Sequence, residues 1–140
     1  MRYVLDTDTV VAAMRSPTGA SAAILVAAAD RRVTLVMSVP LVIEYEATCS
    51  LAEHRLAAGL SQSEVTAFLD GLAVLSEPVE CHFLWRPRLR DPGDEMVLET
   101  AVNGRADAIV TFNVRDFGGV SRDFGIAVLK PSEALRRVEQ

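Results

Sequence analysis

This 140-residue chain has a single lysine, two cysteines, two histidines and one tryptophan. Each scarcity excludes something. Two cysteines, Cys49 and Cys81, make no disulfide framework, and a reduced, cytoplasmic setting is the expectation. No Cys/His group has zinc spacing, so His82, Cys49 and Cys81 read as packing residues rather than ligands. No hydrophobic run reaches bilayer length: the longest mostly apolar stretch is Ala20–Ala29, rich in alanine. The opening MRYVLDTDTV meets Asp6 and Asp8 too soon to be the apolar core of a signal peptide, so no membrane association is expected. Repeats, linkers and low-complexity segments are missing as well. With half of its residues hydrophobic, the chain can bury a core without staples, and its length suits one domain, 1–140.

Charge is the next shortage. The net charge is −5, although nucleic-acid binders usually carry a basic balance. The cations are thirteen arginines and one lysine, and arginine suits bidentate phosphate contact. The surplus of acid is compatible with one concentrated site whose carboxylates a bound cation neutralises.

What is present reads as strands alternating with helices. Arg2–Leu5 is a short apolar strand stopping at Asp6. Ser16–Gly19 is a turn, and Ala20–Ala29 a helix. Val33–Met37 is β-rich, and Pro40 opens a helix predicted over Leu41–Leu56, broken at Gly59. Ser61 and Glu64 have capping-box spacing ahead of a helix to about Leu75. Glu77–Phe83 reads as a strand and Leu84–Asp91 as a loop. Pro92 to about Val102 is a helix closed by Asn103-Gly104. Ala108–Val110 and Ile126–Leu129 are strands, and Pro131 starts a terminal helix with Ala134 and Leu135 facing inward. This order implies an α/β fold, a parallel sheet covered on both faces.

Ligands in open parallel sheets bind beyond the carboxyl ends of the strands. Asp6 follows the first strand; Thr111, Asn113 and Asp116 follow Ala108–Val110. Asp94 sits at a helix N-terminus, where an anion is favoured. Leu41, Tyr45, Cys49, Ala52 and Leu56 trace an apolar stripe with helical spacing, which leaves Glu44 on its flank. A carboxylate there needs a cation. Converging oxygen donors select Mg²⁺ or Mn²⁺ over zinc, and such ions serve water attack on phosphodiesters. Taken singly, Asp6, Asp8 and Asp94 also suit helix caps, Glu44 suits an ion pair with Arg55, and Asp116 suits a turn. Trp85 with Arg86, Arg88 and Arg90 combines stacking and charge in the manner of a single-strand grip, and equally suits a loop whose tryptophan plugs a gap or a dimer interface.

Four segments, VLDTDTVVAA from Val4, VPLVIEYEA from Val39, RDPGDEMVLETAV from Arg90 and DAIVTFNVRDF from Asp107, resemble PIN domains, and within them the VapC-like toxins of bacterial toxin–antitoxin pairs. They come in the family's order and cover most of the chain. The resemblance implies a three-layer α/β/α fold and endoribonuclease activity on single-stranded RNA or tRNA. It also implies a homodimer and inhibition by an antitoxin. It places Asp6, Glu44, Asp94 and Asp116 at the acidic metal positions, with Asn113 a polar neighbour. Asp8 stands where asparagine is frequent in similar sequences and adds charge. Asp116 as a ligand and Asn113 acting through water both fit TFNVRD; Asp91 is an alternative to Asp94.

Two other classes share parts of this pattern. LDTDTV fits the opening of haloacid-dehalogenase-like phosphatases, but Lys130 follows every candidate acid, whereas that chemistry wants a lysine before the final pair. A phosphotransfer receiver domain shares the acidic pair, the threonine and Lys130-Pro131, but lacks the phospho-accepting aspartate on a middle strand. A PIN-like domain acting only as a binding partner is a third reading, against which the complete set of four acids speaks.

Overall fold

In the computed structural model, residues 1–82, Leu89 and 91–140 are described. Trp85, Arg86, Arg88 and Arg90 of the expected RNA-gripping loop lie outside them, as does Phe83.

Five strands form one parallel sheet: β1 (Arg2–Leu5), β2 (Thr34–Met37), β3 (Ser76–Pro78), β4 (Ala108–Val110) and β5 (Ala127–Leu129), in the order β3-β2-β1-β4-β5. The central strand has the apolar run Tyr3, Val4 and Leu5, all buried, as a strand covered on both faces requires. Helices α1 (Thr7–Arg15), α2 (Ala20–Ala29), α3 (Val39–Cys49), α4 (Ala52–Ala58), α5 (Gln62–Leu75), α6 (Pro92–Asn103), α7 (Val120–Phe124) and α8 (Pro131–Glu139) complete a three-layer α/β/α fold. Among the described residues no single helix is long and apolar enough to cross a membrane.

Local chemistry explains several boundaries. Ser61 and Glu64 form the expected capping box of α5. Gly59 ends α4 with a positive φ of 71°, a conformation that favours glycine. The sheet's β3 is shorter than the strand read from Glu77, and its Pro78 sits on the outermost strand, where a missing N–H costs no ladder bond. Residues 114–124, not assigned from sequence, form a 3₁₀ turn (Val114–Phe117) followed by α7.

The helix predicted over Leu41–Leu56 is two helices. Leu51 leaves helical geometry (φ −60°, ψ 135°) and caps α4. The apolar stripe therefore holds for buried Leu41, Tyr45 and Cys49 but fails beyond the break, where Ala52 is exposed and Leu56 is 66% exposed. Glu44 lies before the break and is half-buried as its phase predicted, while Glu46 and Glu53 are exposed.

Tyr45 fastens α3 to the sheet. Its buried hydroxyl donates to the carbonyl of Leu5, the last residue of β1. Tyr45→Phe leaves that carbonyl without its donor and is expected to lower stability by about 1–3 kcal/mol. Urea titration checks this: the midpoint should fall at constant slope, and an unchanged midpoint would show that the bond does not hold α3 in place.

Candidate active site

The register of β1 and β4 sets the site's floor. Leu5 pairs with Val110, and the Asp6 N–H donates to the Val110 carbonyl at 2.9 Å. Asp6 and Thr111 are thereby neighbours just past the two strand ends. The Thr111 hydroxyl, fully buried, donates to Asp6 Oδ2 at 2.7 Å. Asp6 also caps α1, its Oδ1 accepting from the Thr7 N–H at 2.8 Å. Capping and participation in the site are therefore not alternatives for Asp6: one oxygen answers the helix and the other the threonine.

Asp8 has a different task. Its Oδ2 accepts from the Phe112 N–H at 3.1 Å and from Asn113 Nδ2 at 3.0 Å, while Oδ1 accepts from the Thr9 hydroxyl at 3.1 Å. The carboxylate clamps the loop after β4 to the first turn of α1. Asn113 in turn spends its amide on that clamp.

At α6 the cap is Asp91, whose Oδ1 accepts from the Gly93 N–H at 2.7 Å. Asp94 stands inside the first turn, half-buried, so capping does not account for it. Asp116 lies in the 3₁₀ turn and is exposed. Among the described residues, Glu44 forms no ion pair with Arg55, whose Nη1 instead donates to the Leu60 carbonyl at 3.3 Å.

These groups share one cavity of about 360 Å³. Asp6, Glu44, Asp94 and Asp116 all line it, together with Asp8, Asp91 and Asn113. Thr111 acts from beneath through its hydrogen bonds. Thr48 and His54 also line the wall, and neither was singled out from sequence. The signal of His54 was hidden by the break at Leu51, since the phase carried forward from Leu41 does not describe α4; Thr48 lies one turn after Glu44 on the unbroken α3, where helical spacing could have found it. His54 Nδ1 stands 3.1 Å from Arg15 Nη1, which places a guanidinium behind the wall. Among the described residues no lysine or arginine lines the cavity itself.

Crowded carboxylates without a countercharge favour protons. Burial, then the charge of Asp8, outweighs the hydrogen bonds from Thr111 and Thr7 and pushes Asp6 up to about 6. Asp94 is pushed up to about 7, by burial first and then by Asp6, Asp91, Asp116 and Asp8. Asp8 is raised too, mainly by burial. Such a wall of hard oxygen donors fits Mg²⁺ or Mn²⁺ in its chemistry. In their present positions no three His, Cys, Asp or Glu side chains among the described residues form a ligating cluster.

The fold and the cavity together define the class: an α/β domain with a parallel sheet and a carboxylate-lined site at its carboxyl edge. The sequence profile of the PIN domain matches residues 2–115, and the chain belongs to the PIN-domain family. Among solved structures, a chain of VapBC2 from Rickettsia felis, bound to a DNA fragment from their promoter, is similar in fold. Its TM-score is 0.60 at 17% identity, over 91% of this chain and 97% of that one. No curated protein matches the chain in sequence.

The rival classes lose their footing here. Receiver domains have the flavodoxin-like order 2-1-3-4-5, whereas this sheet runs 3-2-1-4-5. Lys130, the lysine a phosphatase would need at the carboxylates, lines a different pocket.

The raised carboxyls make stability depend on pH. Folded Asp6 and Asp94 keep protons that the unfolded chain, with carboxyls near 3.8, has released. Stability of the metal-free protein is therefore fullest below about pH 4 for these two groups and declines as pH rises through 6 to 7. Asp94→Asn should raise the melting temperature of the metal-free protein at pH 8 by a few degrees, on the order of 1 kcal/mol once solvent screening is allowed for. At pH 5 the gap should be smaller, and below about pH 4 the two proteins should melt together. Equal melting at pH 8 as well would contradict the repulsion.

Proposed function

We propose that this chain is a Mg²⁺- or Mn²⁺-dependent endoribonuclease, and that it is the toxin of a toxin–antitoxin pair. The observation that carries this is the cavity at the ends of β1 and β4, where six carboxylates meet without a lysine or arginine among its described lining residues. Membership of the PIN-domain family supports nuclease chemistry. The fold likeness to VapBC2 supports an antitoxin partner, and the sequence resemblance to VapC-like toxins supports RNA as substrate. A homodimer and a cytoplasmic location belong to the same reading. So does a single domain over 1–140, since α8 beyond the matched region packs on α2 and β4.

In this reading Asp6, Glu44, Asp94 and Asp116 hold the ion, directly or through its waters. When bound, the ion lowers the pKa of a coordinated water and offsets the charge on the phosphate. The chain's own residues do the rest. Thr111 fixes the rotamer of Asp6. Asp8 holds the Phe112–Asn113 loop, which keeps Asp116 beside the cavity. Water attacks phosphorus in line, the bond from phosphorus to one ribose oxygen breaks, and the leaving oxygen takes a proton; no covalent bond to the protein forms. Since Asp6 and Asp94 must shed protons to hold the ion, metal affinity and cleavage should rise between pH 5 and 8.

Asp6→Asn should reduce cleavage of single-stranded RNA roughly 100-fold or more while circular dichroism shows the fold retained. Undiminished metal-dependent cleavage by this variant would remove Asp6 from the site. Thr111→Val, which takes the hydroxyl from Asp6, should weaken Mn²⁺ binding by roughly 10–100-fold in calorimetry. Expression should slow growth of a host cell, and co-expression of an antitoxin should relieve it. Indifference of growth would remove the toxin role and leave the nuclease standing.

A further inference from the structure

Beside the acidic cavity lies a second pocket, of about 240 Å³, whose walls are mostly apolar. The two share walls. Val11 lines the first and Ala12 the second, on one helix; Asn113 lines the first and Phe112 the second, in one loop. Among the described residues no carboxylate lines the second pocket, whereas the sequence's one lysine, Lys130, does.

Two helices begin there. Gly19, Ala20 and Ser21 bring the N-terminus of the ten-residue α2, and Pro131 and Ser132 that of the nine-residue α8. At α2 the cap residue Gly19 offers no side-chain acceptor and the first turn has no acid. Its first-turn N–H groups and the positive end of its dipole are left for some other acceptor. The end of α8 is partly answered, because Glu133 Oε1 turns back to the Lys130 N–H at 3.4 Å.

An independent observation points to a ligand. Ser21 lines the pocket, is only 4% exposed, and its Oγ has no hydrogen-bond partner. Buried hydroxyls are nearly always satisfied, and leaving one unsatisfied costs stability. Lys130 and the first residues of α2 and α8, which carry donors, line the same pocket. An oxyanion would accept from all of them at once. Phe112, 49% exposed, adds an aromatic face of the kind on which a base stacks.

The geometry points to an oxyanion subsite in which this pocket holds a backbone phosphate of the RNA strand, one step along from the phosphodiester at the acidic cavity, with a base resting on Phe112. The identity of the strand rests on the ribonuclease reading; the oxyanion chemistry does not. It gives a chain of net charge −5 a cationic grip beside its carboxylates.

The test is anisotropy of a short labelled single-stranded RNA in Mg²⁺, with Asp6→Asn in every protein so that cleavage does not interfere. Ser21→Ala and Lys130→Gln should each weaken binding roughly ten-fold. Lys130→Gln should also lower the slope of log affinity against log salt by about 1, and Lys130→Arg should restore both. The melting temperature of Ser21→Ala should be unchanged or higher, since it removes an unsatisfied hydroxyl; a merely structural serine would lower it. Equal RNA affinity in all proteins overturns the assignment. Should inorganic phosphate raise the melting temperature of the parent and of neither variant while RNA affinity stays equal, the pocket takes a free oxyanion and the RNA assignment falls. Cleavage by the unsubstituted chain is assayed separately. RNA binding that depends on Ser21 and Lys130 without any cleavage would uphold the subsite and sink the nuclease.

Discussion

Everything at the functional edge follows from packing like charges together at the end of a sheet that is buried on both faces. A parallel sheet sends all its strand ends to one edge, so side chains from distant segments must meet there. Burial removes the water that would screen them. The hydrogen bonds from Thr7 and Thr111 to Asp6 offset only part of this, because its carboxyl still sits near 6. The remaining imbalance asks for a positive charge that no lysine or arginine among the described residues of the wall supplies.

The first turns of α1 and α6 soften the repulsion and share it unequally. Asp6 and Asp91 each give an oxygen to a helix end. Asp94 gives none to the cap and is raised furthest, to about 7. Asp8 accepts from Thr9 on its own helix and from Thr111, Phe112 and Asn113 after β4, which makes it a brace for the loop as much as a charge in the cavity. The same loop carries Phe112 toward the neighbouring pocket that Lys130 lines, so one short segment separates the two pockets.

Much of this was legible before any coordinates. The apolar run of β1 ending at Asp6, the Ala108–Val110 strand and the Ser61–Glu64 capping box depend on contacts within a few residues, and each stands as read. Glu44 was placed by helical phase alone, and the phase held because Leu41, Glu44 and Tyr45 lie on one unbroken helix. The stripe failed past Leu51, where a cap conformation resets the phase and turns Leu56 to solvent. His54 entered the cavity wall unannounced for the same reason, whereas Thr48 lies one turn after Glu44 on the unbroken α3.

By itself, the sequence determined the alternation of strands and helices and the stock of acids at strand ends, because backbone propensity and apolar periodicity are local. Only the tertiary structure decided which acid caps α6, which one braces the β4 loop, and that Lys130 stands in a separate pocket with an unsatisfied Ser21. Those choices depend on the register between β1 and β4 and on helix ends meeting across more than a hundred residues of chain. No local pattern encodes a distance between groups so far apart in sequence.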